Sequence, residues 1–95
     1  MIRDIRITKQ AQKDLLLVPR RIHDKLLSWV ASVEEQGLEE TRKRPGYHDE
    51  GLKGKRAGQR SIRLNKDYRA IYTIRNDGTV EFIAIEEVNK HDYRN

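Results

Sequence analysis

The sequence predicts an α+β domain: an N-terminal strand, a two-helix hairpin packed on one face of an antiparallel sheet, and a C-terminal three-strand meander. Three observations predict it. Residues 2–7 and three segments after residue 58 alternate apolar and polar side chains. Between them, residues 11–33 repeat apolar groups at helical spacing. The order is strand, helices, strands, which segregates the helices to one side of a sheet instead of alternating β with α. Ninety-five residues form a single domain, 1–95, with a modest core.

Each element follows from its residues. "IRDIRI" (2–7) is a strand with Ile2 on one face and Ile5 and Ile7 on the other. Thr8 is the N-cap of a short helix running to Leu17, with Ala11, Leu15 and Val18 inward. Pro19 suits the first turn of a second helix. The stripe of that helix is Ile22, Leu26, Trp29 or Val30, and Val33, and Gly37 stops it. Residues 38–51 read as an irregular connection. Strands follow at 59–64, 68–75 and 79–88, with turns at Asn65-Lys66-Asp67 and Asn76-Asp77-Gly78.

Charge is unevenly spread. Residues 42–75 hold eleven Lys/Arg against three acids, although the whole chain is only +5. A basic middle on a slightly acidic remainder is the footprint of a polyanion-binding surface, most simply nucleic acid. There is no cysteine, so a disulfide framework and thiolate metal sites are excluded, and a reducing compartment is compatible. No apolar run approaches the roughly 18 residues of a membrane span, and the N-terminus lacks the apolar stretch of a secretory signal. The expected location is the cytoplasm, away from membranes. The three histidines share no metal-ligand spacing, and no phosphate loop or dinucleotide fingerprint occurs, so no metal and no cofactor are expected. His23 and His48 read as solvent-facing and loop residues.

Pairing across Asn65-Lys66-Asp67 sets Arg63 opposite Arg69, Ile62 opposite Ala70 and Ser61 opposite Ile71. Ile62, Leu64, Tyr68, Ala70 and Tyr72 then share the helix-packed face, and Ser61, Arg63, Arg69, Ile71 and Thr73 the other. With Asp77-Gly78 as a two-residue hairpin loop, Tyr72 meets Ile83, Ala70 meets Ile85, and Arg69 meets Glu86. Glu87 falls on the core face. Two arginines directly opposite cost a few tenths to about 1 kcal/mol, which Glu86 would partly offset. Two guanidiniums on one face are also well suited to phosphate oxygens.

"LKGKRAGQRSIRL", then "YRAIY", then a last strand ending in "NKHDY", resembles the RelE/ParE superfamily of bacterial type II toxins, and most closely its RelE, YoeB and HigB branches. The resemblance spans nearly the whole chain and is most specific over residues 50–72. It implies a ribosome-dependent endoribonuclease that cuts mRNA in the ribosomal A site, needs no metal, and is neutralised by a cognate antitoxin. Operator DNA would be bound only through the antitoxin complex. By the same resemblance Arg69 holds the scissile phosphate and Arg63 flanks it. Lys53 and Lys55 fall in the basic loop that supplies RNA-contacting or catalytic lysines, Glu50 is the general base, and His91 and Tyr93 occupy the C-terminal catalytic positions. Arg56 and Arg60 belong to the same basic stretch and are read from it as further RNA-binding residues. The chain departs from the pattern in three places. The terminal signature is His-Asp-Tyr, one residue longer than the usual pair; the final segment carries an insertion; and Gln59-Arg60 replace an aromatic before the basic strand.

The chemistry fits these residue types. In metal-free RNA cleavage the 2′-hydroxyl attacks the adjacent phosphate. A base must take the hydroxyl proton, cations must hold the equatorial oxygens, and an acid must protonate the leaving 5′-oxygen. Histidine titrates closest to working pH, which makes His91 the natural acid. Tyr93 would orient the phosphate or stack on a base. Two further readings share this scaffold: a ParE-like poison of DNA gyrase without nuclease chemistry, and a degenerate toxin that binds only antitoxin and operator DNA.

Overall fold

A computed structural model of the chain describes residues 1–90. The first strand, β1, is Ile5–Ile7, shorter than the alternation suggests, and it leads directly into α1 at Lys9–Leu15. Thr8 joins the two. Its hydroxyl oxygen accepts from the Ala11 amide at 3.1 Å, capping α1, and the hydroxyl donates to the Glu86 carbonyl at 3.0 Å. One side chain therefore ends a strand, starts a helix and ties both to the last strand. Thr8→Ala is expected to cost about 1 kcal/mol and lower Tm by about 4–8 °C in thermal unfolding.

Helix α2 spans Arg20–Gln36, with Pro19 in the N-cap position. Ile22, Leu26, Trp29 and Val33 are all buried, so the expected stripe is the one that packs. The helix stops at Gly37, whose φ of 86° and ψ of 162° suit only glycine. The next segment departs from the expected irregular connection. Leu38–Arg42 form a third helix, α3, Pro45–Tyr47 form a 3-10 turn, and Glu50–Gly51 form a short strand, β2. The side chain of Thr41 explains α3. Its hydroxyl bonds the Gly37 carbonyl at 3.0 Å and lies 2.9 Å from the Ser32 hydroxyl, a buried polar pair that fastens α3 to α2.

Three more strands complete the sheet: β3 at Arg60–Arg63, β4 at Tyr68–Asn76 and β5 at Glu81–Lys90. Their order is β1-β5-β4-β3-β2. β1 runs parallel to β5, and the other pairings are antiparallel. The helices cover one face. There, Ile62, Ala70, Tyr72, Ile83, Ile85 and Val88 form one buried cluster with Ala11 and the α2 stripe. Trp29 and Tyr72 meet with ring centroids 5.2 Å apart, in a tilted arrangement.

The β3–β4 register is the expected one: Arg63 faces Arg69, Ile62 faces Ala70 and Ser61 faces Ile71. The β4–β5 register is not. Asn76 pairs with Glu81, so the loop holds four residues and Tyr72 meets Ile85, two positions beyond Ile83. The Asp77 carboxylate accepts from the amides of Thr79 and Val80 and so folds the longer loop. A slip of two preserves each side chain's face, so the core is unharmed. A β-bulge then intervenes between Ile71 and Tyr72, beyond which Ile71 faces Glu87, Ala70 faces Val88 and Arg69 faces Asn89. Two expectations are corrected. Glu86 does not meet Arg69; it accepts from Thr73 and Arg75 instead. Glu87 does not sit on the core face. The bulge turns it to the opposite side, where Arg56 binds it at 2.8 Å.

Candidate active site

The face of the sheet away from the helices carries the site. Glu50 pairs with Ser61 across β2–β3, Ser61 with Ile71, and Arg63 with Arg69 across β3–β4. Opposed residues share a face, so Glu50, Ser61, Arg63 and Arg69 project together. They line an open pocket of about 50 Å³ with His48, Asn65, Lys66 and Tyr68. Its floor is held by the turn after β3, where the Asn65 amide oxygen accepts from the backbone of Asp67 and Tyr68 at 2.7 and 2.8 Å.

The pocket is electrostatically lopsided. Arg63 is exposed and Arg69 half-buried, and Glu86, which could have offset their repulsion, is engaged elsewhere. The Arg69 Nε is buried and has no hydrogen-bond partner among the described residues. A buried guanidinium N–H without an acceptor costs free energy that an anion seated in the pocket would recover. Glu50 and His48 share the pocket lining with the arginines, with Nε2 of His48 3.9 Å from Oε2 of Glu50.

The backbone at Glu50 is anchored by its neighbour Asp49. The side chain of Asp49 is only 1 % exposed and accepts from Arg60 Nε at 2.7 Å and from the Tyr72 hydroxyl at 2.5 Å. Burial, then the bond to Asp49, push the Tyr72 hydroxyl well above the ordinary phenol range, so it remains a donor. This triad joins the segment before β2 to β3 and β4, on the side facing the helices, and leaves Glu50 pointing the other way.

The sequence-predicted residues thus divide. Glu50, Arg63 and Arg69 converge on the pocket. Lys53 and Lys55 are exposed near the 3-10 turn at Gly54–Arg56, outside the pocket lining. Arg56 is bound to Glu87 and Gln59, each at 2.8 Å. Arg60 alternates with Ser61 onto the helix side and pairs with Asp49. His91 and Tyr93 lie outside the described residues. His48, Ser61, Asn65, Lys66 and Tyr68 also line the pocket, and the sequence reading names none of them as site residues.

The layered arrangement, with helices on one face of a five-stranded, mostly antiparallel sheet, matches the fold of RelE-like toxins. A sequence profile of the ParE toxin family of type II toxin-antitoxin systems matches residues 5–88, and the chain belongs to this family. Among solved structures it is similar to a YoeB/ParE toxin from Agrobacterium tumefaciens, with 18 % identity, a TM-score of 0.69, and 94 % of this chain and 99 % of that one covered. It is similar to YafQ from E. coli, with 22 % identity, a TM-score of 0.71, and coverage of 93 % and 92 %. It is also similar to a chain of the E. coli DinJ-YafQ toxin-antitoxin complex, with 25 % identity, a TM-score of 0.70, and coverage of 96 % and 94 %. A comparison with curated proteins finds no match. The chain is a toxin of the type II class.

Proposed function

We propose that this toxin is a ribosome-dependent, metal-independent endoribonuclease that cleaves translated mRNA and so stops protein synthesis. The observation that carries this reading is the pocket itself: a half-buried arginine with an unpartnered N–H, a second arginine beside it, and a carboxylate in the same lining. Arg69 and Arg63 bind the scissile phosphate and stabilise the charge that develops on its oxygens. Glu50 accepts the proton of the attacking 2′-hydroxyl. Lys53 and Lys55 extend the positive surface along the RNA. His91 supplies the leaving-group proton and Tyr93 supports the phosphate, as the resemblance implies. The pocket is open and small, so the ribosome's part is to hold the RNA in a reactive conformation. A cognate antitoxin wraps and neutralises the protein, in keeping with the toxin-antitoxin complex among its structural relatives, and operator DNA is bound only through the antitoxin complex.

Induction is expected to arrest growth and co-induction of the antitoxin to restore it. Glu50→Gln is expected to lower the cleavage rate on programmed ribosomes about 10²-fold or more, with RNA binding largely kept. Full activity in that variant would remove Glu50 from the role of base. The family profile carries the ParE name, which favours a second reading, a poison of DNA gyrase. A gyrase poison has no use for a carboxylate in one pocket with two arginines, and its signature would be gyrase-linked DNA breaks with intact mRNA.

A further inference from the structure

His48 stands in the pocket with no role assigned to it. Its backbone is in the left-handed region, with φ 47° and ψ 51°, an uncommon conformation for any residue but glycine. Both neighbours are anchored. Tyr47 is buried under the ammonium of Lys25, 4.8 Å from its ring centroid, and the Asp49 side chain is locked between Arg60 and Tyr72. The imidazole is therefore presented to the pocket from a fixed backbone. The charged and titratable groups lining the pocket with it are Glu50, Arg63, Lys66, Tyr68 and Arg69. Only Glu50 offers it an opposite charge, at 3.9 Å.

We propose that His48 is a positioning residue for Glu50, steadying that carboxylate in the pocket it shares with Arg63 and Arg69. The proposal rests on the nuclease reading. In an in-line displacement the entering 2′-oxygen and the leaving 5′-oxygen lie on opposite sides of phosphorus. A group in contact with the base therefore belongs to the base's side and cannot be the acid. As the 2′-oxygen forms its bond to phosphorus, its proton passes to Glu50. The bond from phosphorus to the 5′-oxygen breaks, and that oxygen takes its proton from the general acid across the site. The imidazole beside Glu50 limits the directions in which that carboxylate can turn, and so keeps a lone pair available to the 2′-hydroxyl.

The test is cleavage of mRNA on programmed ribosomes by the wild type, His48→Gln and His48→Ala, with kcat and KM determined separately. His48→Ala is expected to lower kcat about 10-fold with KM little changed. His48→Gln, which keeps an N–H donor beside Glu50, is expected to recover part of that loss. Equal kcat in the wild type and His48→Ala would overturn the role of His48 and leave the nuclease reading intact. A wild type that cuts no mRNA would overturn both.

Discussion

Arg69→Ala is expected to abolish growth arrest, with mRNA cleavage falling at least 10²-fold, while the folded protein is as stable as the wild type or slightly more so. The two effects have opposite signs for one reason. Arg69 sits directly across from Arg63 with no acid between them, an arrangement that costs a few tenths to about 1 kcal/mol in the free protein. Removing one guanidinium relieves that cost and also removes a buried N–H that lacks an acceptor. The same guanidinium is proposed to meet the phosphate, where losing one preorganised donor typically costs 10²–10³ in rate. Arg69→Lys keeps the charge but loses the planar fork, and is expected to recover only part of the activity. Circular dichroism melts alongside cleavage assays check both halves. A variant that lost activity only because it unfolded would show a lowered Tm.

Asp49→Ala is expected to produce the largest loss of stability of any single change in the site region, about 3 kcal/mol, or a fall in Tm of more than 10 °C. Its carboxylate is 1 % exposed and serves two donors, Arg60 and the Tyr72 hydroxyl. Truncation leaves a partly buried guanidinium without its counter-charge and a buried hydroxyl without its acceptor. Tyr72 packs on Trp29 at the centre of the core, so the damage reaches the helices. Asp49→Asn keeps the shape and one acceptor oxygen and is expected to fall between the two. Denaturant or thermal unfolding measures the series, and a loss under 1 kcal/mol in the alanine variant would mean that the triad contributes little.

Much of this fold is legible in local sequence. The α2 stripe, the Thr8 cap and the face that holds Arg63 and Arg69 each depend on spacing within one or two elements. The β3–β4 register is legible because the short Asn65-Lys66-Asp67 turn leaves one simple pairing. What is not legible depends on distant partners. Asp77 in "NDG" invites a two-residue loop, yet its carboxylate folds four residues and also meets Arg6 of β1 at 2.7 Å. The bulge that turns Glu87 outward is fastened by Arg56, thirty-one positions earlier. Arg60 reads as one more surface cation until Asp49 and Tyr72 draw it to the helix side. His48 reads as a loop residue, because its place in the pocket depends on anchoring Tyr47 and Asp49 against elements far along the chain.

The central claim is that Arg63, Arg69 and Glu50 form a phosphodiester-cleaving site that acts on mRNA during translation. Primer extension on a translated message after induction tests it most directly, with wild type and Arg69→Ala side by side. Cuts that fall in register with codons in the wild type and vanish in the variant are the expected result. Intact mRNA in wild-type cells that nevertheless stop growing, with DNA breaks linked to gyrase, would contradict it.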